Sequence, residues 1–147
     1  MRWIWILCLV LAGCVTRHPH FDVPERGADR LLRVEATGYC ACETCCGWER
    51  SWLGLGPPVI AYGPHKGRPK AVGITAAGTT AQRGVIAADT RVLPFGTILW
   101  VPGYGWGRVE DRGGAIQGNK IDLFFPTHEE ALQWGRRRVD AYVWTRR

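Results

Sequence analysis

The chain has 147 residues, of which 46% are hydrophobic and 22% charged, with 19 basic and 13 acidic side chains and a formal net charge of +6. That length leaves room for one domain with one core, and excludes an array of several. The positive excess suits an anionic polymer such as cell wall, or lipid headgroups.

The first residues, MRWIWILCLVLAGC, hold a single Arg followed by an apolar run from Trp3 to Leu11. This run is shorter than the roughly 20 apolar residues a spanning helix needs, so residues 1–13 read as a secretory signal. Leu11-Ala12-Gly13-Cys14 resembles the bacterial lipobox, in which the cysteine becomes the lipidated N-terminus. The expected mature protein starts at Cys14 and is anchored by acyl chains, with no membrane-spanning segment. It works in the cell envelope, where DNA is not an expected partner. Val15 stands where an aspartate often retains lipoproteins at the inner membrane, so the anchor is expected on the periplasmic face of the outer membrane.

Residues 14–30 are polar, with Pro19, Pro24 and Gly27 and no apolar period. They read as a flexible tether with a reach of roughly 20–25 Å. The domain proper is residues 31–147. Its first strand is expected at Leu32 to Tyr39, where Leu32, Val34 and Ala36 alternate with Arg33, Glu35 and Thr37.

Four cysteines follow within seven residues: Cys40, Cys42, Cys45 and Cys46. An even set in an oxidising compartment points first to two disulfides. Two bridges in so short a loop would be crowded, so a four-thiolate zinc site is the alternative. Either would staple the loop, and no other cofactor is expected.

From Trp48 to Gly84 the chain is rich in Gly and Pro and reads as long loops, with a short strand near Val72 to Thr75. Further strands are expected at Gly84–Ala88, Thr97–Val101, Gly107–Glu110, Lys120–Phe125 and Arg138–Trp144, with a turn at Pro94-Phe95-Gly96. One helix is signalled by the capping box Thr127-His128-Glu129-Glu130, and ends near Gly135 and three arginines. Many short strands with one short helix near the C-terminus argue for an all-β fold, a small β-barrel.

EDRGGAIQGNKIDLF, residues 110–124, combines two aspartates with a glycine run. A phosphate loop is excluded because Asn119 stands where its lysine belongs, and an EF-hand because Gly113 and Ala115 stand where oxygen ligands belong. An aspartic protease would need Thr or Ser after the aspartate, whereas Arg112 follows Asp111. In the strand from Lys120, alternation sends Ile121, Leu123 and Phe125 one way and Asp122 and Phe124 the other. If the first set fills a barrel, Asp122 stands on its outer wall beside an aromatic ring.

Several ordered segments together resemble the bacterial three-aspartate (3D) domain. They are Thr75-Ala76-Ala77-Gly78, Ala87-Ala88-Asp89, Leu93-Pro94-Phe95-Gly96-Thr97, Gly103-Tyr104-Gly105, Glu110 to Gly118 and Ile121-Asp122-Leu123-Phe124. The three naming aspartates match Asp89, Asp111 and Asp122, while Arg112 and Gln117 depart from the threonine and lysine common there. The resemblance covers about residues 32–144 and extends to the catalytic domain of the membrane-bound lytic transglycosylase A family. It implies a six-stranded, expansin-like double-psi β-barrel, acting on peptidoglycan glycan strands as a monomer. The implied reaction cleaves the β-1,4 bond between N-acetylmuramic acid and N-acetylglucosamine and leaves a 1,6-anhydro end, with Asp122 as acid and base. Asp111 and Asp89 are expected beside it, tuning or orienting it, or else only tying loops by accepting backbone amides.

Thr75, Gly113, Gly114, Gly118 and Phe124 are the expected glycan contacts. Among the tryptophans, Trp106 is the main stacking candidate, with Trp48 and Trp52 also in loops, whereas Trp134 and Trp144 suit the core. Two alternatives stay open: a glycan-binding or wall-remodelling module without catalysis, and a hydrolase using two of the aspartates.

Overall fold

The computed structural model describes residues 19–145. The signal segment, Cys14 and the first part of the tether lie outside the described residues. Eight strands and two short helices follow in chain order: β1 (Arg30–Tyr39), α1 (Glu43–Cys46), β2 (Trp48–Arg50), β3 (Pro58–Ile60), β4 (Val85–Ala88), β5 (Ile98–Val101), β6 (Gly105–Asp111), β7 (Lys120–Phe124), α2 (His128–Trp134) and β8 (Arg137–Trp144). Among the described residues, no helix is long and apolar enough to cross a membrane.

Six strands close a barrel in the order β1-β7-β4-β6-β5-β8, and β1 also pairs with β8 to complete the ring. Two seams are parallel, β1 with β7 and β4 with β6, and the others antiparallel. This mixed six-stranded closure is the double-psi arrangement. Alternation explains what fills it. Val34, Ala36, Ile86, Ala88, Leu99, Val101, Val109, Ile121, Leu123, Ala141 and Val143 point inward and are buried. The intervening positions of β4 and β7 face outward, and Val85, Ala87 and Phe124 form a second apolar cluster there with Tyr39 at the end of β1.

Helix α2 covers part of the barrel, as its cap predicts. Thr127 Oγ1 accepts from the Glu130 amide at 3.2 Å, and Arg137 Nε donates to the Trp134 carbonyl at the other end. Trp134 packs against Phe125 and Tyr104, and its Nε1 donates to the Ala36 carbonyl. The helix sits so close to β1 that a Cβ at Gly38 would lie 2.8 Å from the Ala131 carbonyl oxygen and 3.1 Å from the Phe125 ring. Gly38→Ala is therefore expected to destabilise the fold by about 1–3 kcal/mol, since backbone must move to admit it. Thermal denaturation followed by circular dichroism checks this.

Three expectations change. A second, four-residue helix, α1, stands inside the cysteine cluster, and β2 and β3 form a small antiparallel sheet in the stretch read as loops. Val72 to Thr75 is not a strand, and only Ile74 makes a bridge, to Thr80. The described part of the tether is not free. Phe21 is buried, the Asp29 amide donates to the Val143 carbonyl at 2.9 Å, and Trp144 Nε1 donates to the Arg26 carbonyl at 2.8 Å. Its lack of period was misleading because isolated side chains, rather than a face, hold it down.

Candidate active site

The outer wall of the barrel places four residues in one row. Register pairs Asp111 of β6 with Ala87 of β4, Ala87 with Asp122 of β7, and Asp122 with Thr37 of β1. A bulge produces this row. The β4–β6 ladder pairs Ile86 with Val109 and then Ala87 with Asp111, so Glu110 is the extra residue. Val109 points into the core. Without the bulge, alternation would send Asp111 inward as well. The bulge turns it outward, level with Asp122, and between the two lies only the methyl group of Ala87. With strands about 4.8 Å apart, the two aspartate Cα atoms are separated by about two strand spacings.

Asp111, Ala87 and Asp122 of this row floor a cleft of about 240 Å³. Asp111, Asp122, Phe124, Tyr39 and Gly113 line it, with Cys45 and Cys46 on one wall and Lys70 and Arg112 adding positive charge. Thr37 Oγ1 donates to Asp122 Oδ1 at 2.8 Å. Burial raises the pKa of Asp122, and the charge of Asp111 adds to the rise, while the Thr37 bond and the Leu123 amide oppose it. Asp111 accepts from Tyr39 Oη at 3.1 Å on one oxygen, and on the other from the amides of Ala76 and Arg112 at 3.0 and 2.9 Å. Burial and the neighbouring Asp111 charge drive the Tyr39 phenol far above its ordinary range, so it remains a donor.

Asp89 is placed differently and does not line the cleft that Asp111 and Asp122 share. It lines an adjoining groove with Gly114 and Gln117, which meets the main cleft at Arg112, Gly113 and Ile116. Both its oxygens are engaged, by the Arg91 guanidinium at 2.9 and 2.8 Å, the Arg91 amide at 3.1 Å and the Gly118 amide at 2.9 Å. The Arg91 bonds hold its pKa well below the usual carboxylate range. A carboxylate kept ionised at neutral pH and tied to Arg91 and Gly118 is a fastener for the glycine run. Gly118 has φ of 63°, which its lack of a side chain permits.

Of the other expected contacts, Phe124 and Gly113 line the cleft, and Gly114 lines the adjoining groove. Thr75 is buried and bonds to Thr79, so it shapes the wall from behind. Trp106 lies near the start of β6, five residues from Asp111, or about 16 Å along a strand. It stacks on Trp144, at 4.9 Å between ring centroids, and is not brought to the cleft. Trp48 donates to the Ala41 carbonyl, while Trp52 is exposed at the β2–β3 turn.

Sequence reasoning missed Glu110, Thr37 and Tyr39. Glu110 is 3% exposed and accepts from the Thr79 hydroxyl, from His20 Nε2 at 2.8 Å and from Arg108 Nε at 2.5 Å. Burial alone would raise its pKa, but the bonds from Thr79, His20 and Arg108 hold it lowered. The lowered values of Asp89 and Glu110 predict acid sensitivity. Each contributes stability above its unfolded value, about pH 4, that is lost as pH falls through the folded value. Melting temperature is expected to drop steeply below about pH 4, less steeply in Asp89→Asn, as measured by thermal melts across that range.

Residues 84–145 match the family model of the 3D domain. Over 75 residues it is 43% identical to the "Cell wall-binding protein YocH" of Bacillus subtilis (strain 168), covering 48% of this chain and 26% of that one. Over 111 residues it is 34% identical to the "Putative cell wall shaping protein YabE" of the same organism, covering 75% and 22%. The chain thus spans about a quarter of the length of these relatives. Among solved structures, MltA from E. coli aligns with 64% of this chain and 33% of its own, at 21% identity and a TM-score of 0.43. E. coli MltA with bound chitohexaose aligns at 19% identity and a TM-score of 0.41, over 65% and 33% of the two chains. The matched 3D stretch contains all three aspartates, yet Thr37 and Tyr39, which hold two of them, come from β1 outside it.

Proposed function

We propose that the cleft binds peptidoglycan glycan strands and that Asp122 cleaves them as the single acid and base of a lytic transglycosylase. The observation that carries this reading is one half-buried carboxyl, its pKa raised, on the floor of an open cleft whose second carboxylate is already occupied by three donors. As acid, Asp122 gives its proton to the glycosidic oxygen as the bond to muramic C1 breaks. As carboxylate, it then takes the proton of the C6 hydroxyl while that oxygen bonds to C1, which closes the anhydro ring and restores the acid. No water needs a second base, in contrast to hydrolysis. Asp111 positions and tunes Asp122 by charge. Lys70 and Arg112 suit the carboxylates of the peptide stems, or that of muramic acid where the stem is missing, which an uncharged glycan lacks.

The names of the relatives, cell wall-binding and cell wall shaping, support an envelope location and a wall ligand. The first of them also favours a second reading, in which the cleft holds the glycan without cutting it. In our reading the chain is a lipoprotein, with residues 1–13 removed, Cys14 lipidated and the monomeric barrel held at the outer membrane. Digestion of purified sacculi with the full-length protein, followed by mass spectrometry of the soluble products, tests the activity. Anhydro ends support it, reducing ends would indicate hydrolysis, and sedimentation with sacculi without products would leave binding alone.

A further inference from the structure

The cysteine cluster and α2 meet at a point the proposed reaction does not use. Cys40, Cys42 and Cys45 turn their sulfurs toward Nδ1 of His128, the first residue of α2, and the four ligand atoms all lie within 4.8 Å of one another. The Cys40 and Cys45 sulfurs are 3.8 Å apart, and His128 Nδ1 lies 3.9, 3.5 and 3.4 Å from Cys40, Cys42 and Cys45. A tetrahedral zinc with bonds of about 2.3 Å to sulfur and 2.0–2.1 Å to nitrogen has sulfur–sulfur edges of about 3.8 Å and sulfur–nitrogen edges of about 3.5–3.6 Å. The Cys40–Cys45 edge and the edges from His128 to Cys42 and Cys45 are close to those of such a tetrahedron, and the Cys40–His128 edge, at 3.9 Å, is somewhat longer. A disulfide needs about 2.05 Å, and all four cysteines are free thiols here.

The local backbone agrees. Cys42 and Cys45 have the C-x₂-C spacing, and the Cys45 amide donates to Cys42 Sγ at 3.4 Å across α1. The fourth cysteine is turned away, with Cys46 Sγ donating to the Cys40 carbonyl at 3.1 Å and lining the cleft.

We propose that Cys40, Cys42, Cys45 and His128 form a structural zinc site. Three thiols lose their protons to solvent as the metal binds, and neutral imidazole supplies the fourth ligand. The ion fastens the end of β1 and α1 to the start of α2. It thereby fixes the cleft wall that Cys45 and Cys46 provide. All four ligand positions belong to the protein, so the ion has no open place for a substrate.

The test is metal analysis of the full-length protein isolated from the envelope without chelator, together with thiol counting. About one zinc per chain is expected, with no disulfide in the intact mass. Cobalt(II) in place of zinc is expected to give the visible bands of a tetrahedral thiolate site. Cys46→Ser is expected to keep the metal, Cys45→Ser to lose it, and His128→Ala to yield it more readily to a chelator. Should Cys45→Ser fail to fold, the cobalt spectrum of the unaltered protein and the Cys46→Ser result still decide. Two disulfides with no metal would overturn the proposal. So would zinc lost in Cys46→Ser but held unchanged in His128→Ala, which would mean four thiolates.

Discussion

Asp122→Asn is expected to lower the formation of anhydro products from sacculi by about 10²–10⁴-fold, the range that general acid–base catalysis supplies. The substitution is close to isosteric, and an asparagine oxygen can still accept from Thr37, which donates to Asp122 at 2.8 Å. The barrel should therefore stay folded, and its sedimentation with sacculi should persist. Stability at neutral pH should hold or rise. The raised pKa of Asp122 means that its charged form is the costly one in the folded state, so any stability tied to its protonation fades as pH rises through the folded value. Rate follows the same sign. The acid form starts the reaction, so turnover should decline with rising pH, and removal of the Asp111 charge should move that decline to lower pH. Product analysis with wild type, Asp122→Asn and Asp111→Asn across pH checks all of this. Unchanged cleavage by Asp122→Asn would assign the acid elsewhere.

Glu110→Ala is expected to cost about 3–5 kcal/mol, the penalty typical of removing one member of a buried charged network. Thr79, His20 and Arg108 all converge on this carboxylate, and its backbone carbonyl accepts from the Ala77 amide at 2.9 Å. Its loss removes the carboxylate from all three donors and loosens both the Thr75–Thr79 turn and the His20 end of the N-terminal segment, which their backbone bonds still hold in part. The turn also carries the Ala76 amide that holds Asp111. Binding to sacculi should therefore weaken along with the melting temperature. Glu110→Gln keeps an acceptor for Thr79 and should fall between the two. Chemical denaturation of the three proteins gives the order.

The strands of the barrel were legible where alternation ran for four or more residues, because inward positions there are uniformly apolar. The α2 cap was legible because Thr127 and Glu130 act locally. What escaped notice was set by contacts between distant positions. The three-residue strands β2 and β3 have no room for a period, and the hold on residues 20–29 depends on Glu110, Val143 and Trp144. The outward place of Asp122 followed from its strand. That of Asp111 could not, because it depends on a bulge visible only in the pairing of β6 with β4. Asp89 and Asp111 are equivalent in a motif, yet Arg91, two residues along, makes one a fastener while Tyr39 and the Ala76 amide hold the other at the cleft. His128 gave no metal signal because it is a lone histidine at an unconstrained position inside a capping box, and its partners lie 83–88 positions away.

The closure of the ring has a consequence for the order of assembly. Strand β1 takes its two places in the ring beside β7 and β8, and Thr37 reaches an aspartate 85 positions later. Such long separations place folding in the millisecond-to-second range, because loop entropy must be overcome before any of these contacts forms. During synthesis β1 emerges with both edges unpaired; its β7 partner is complete only once the chain has passed Phe124, and its other edge stays open until β8 ends at Trp144. The strand made first thus waits for two of the last three, and the carboxyl on which the proposed chemistry depends gains its hydroxyl donor only when β1 meets β7.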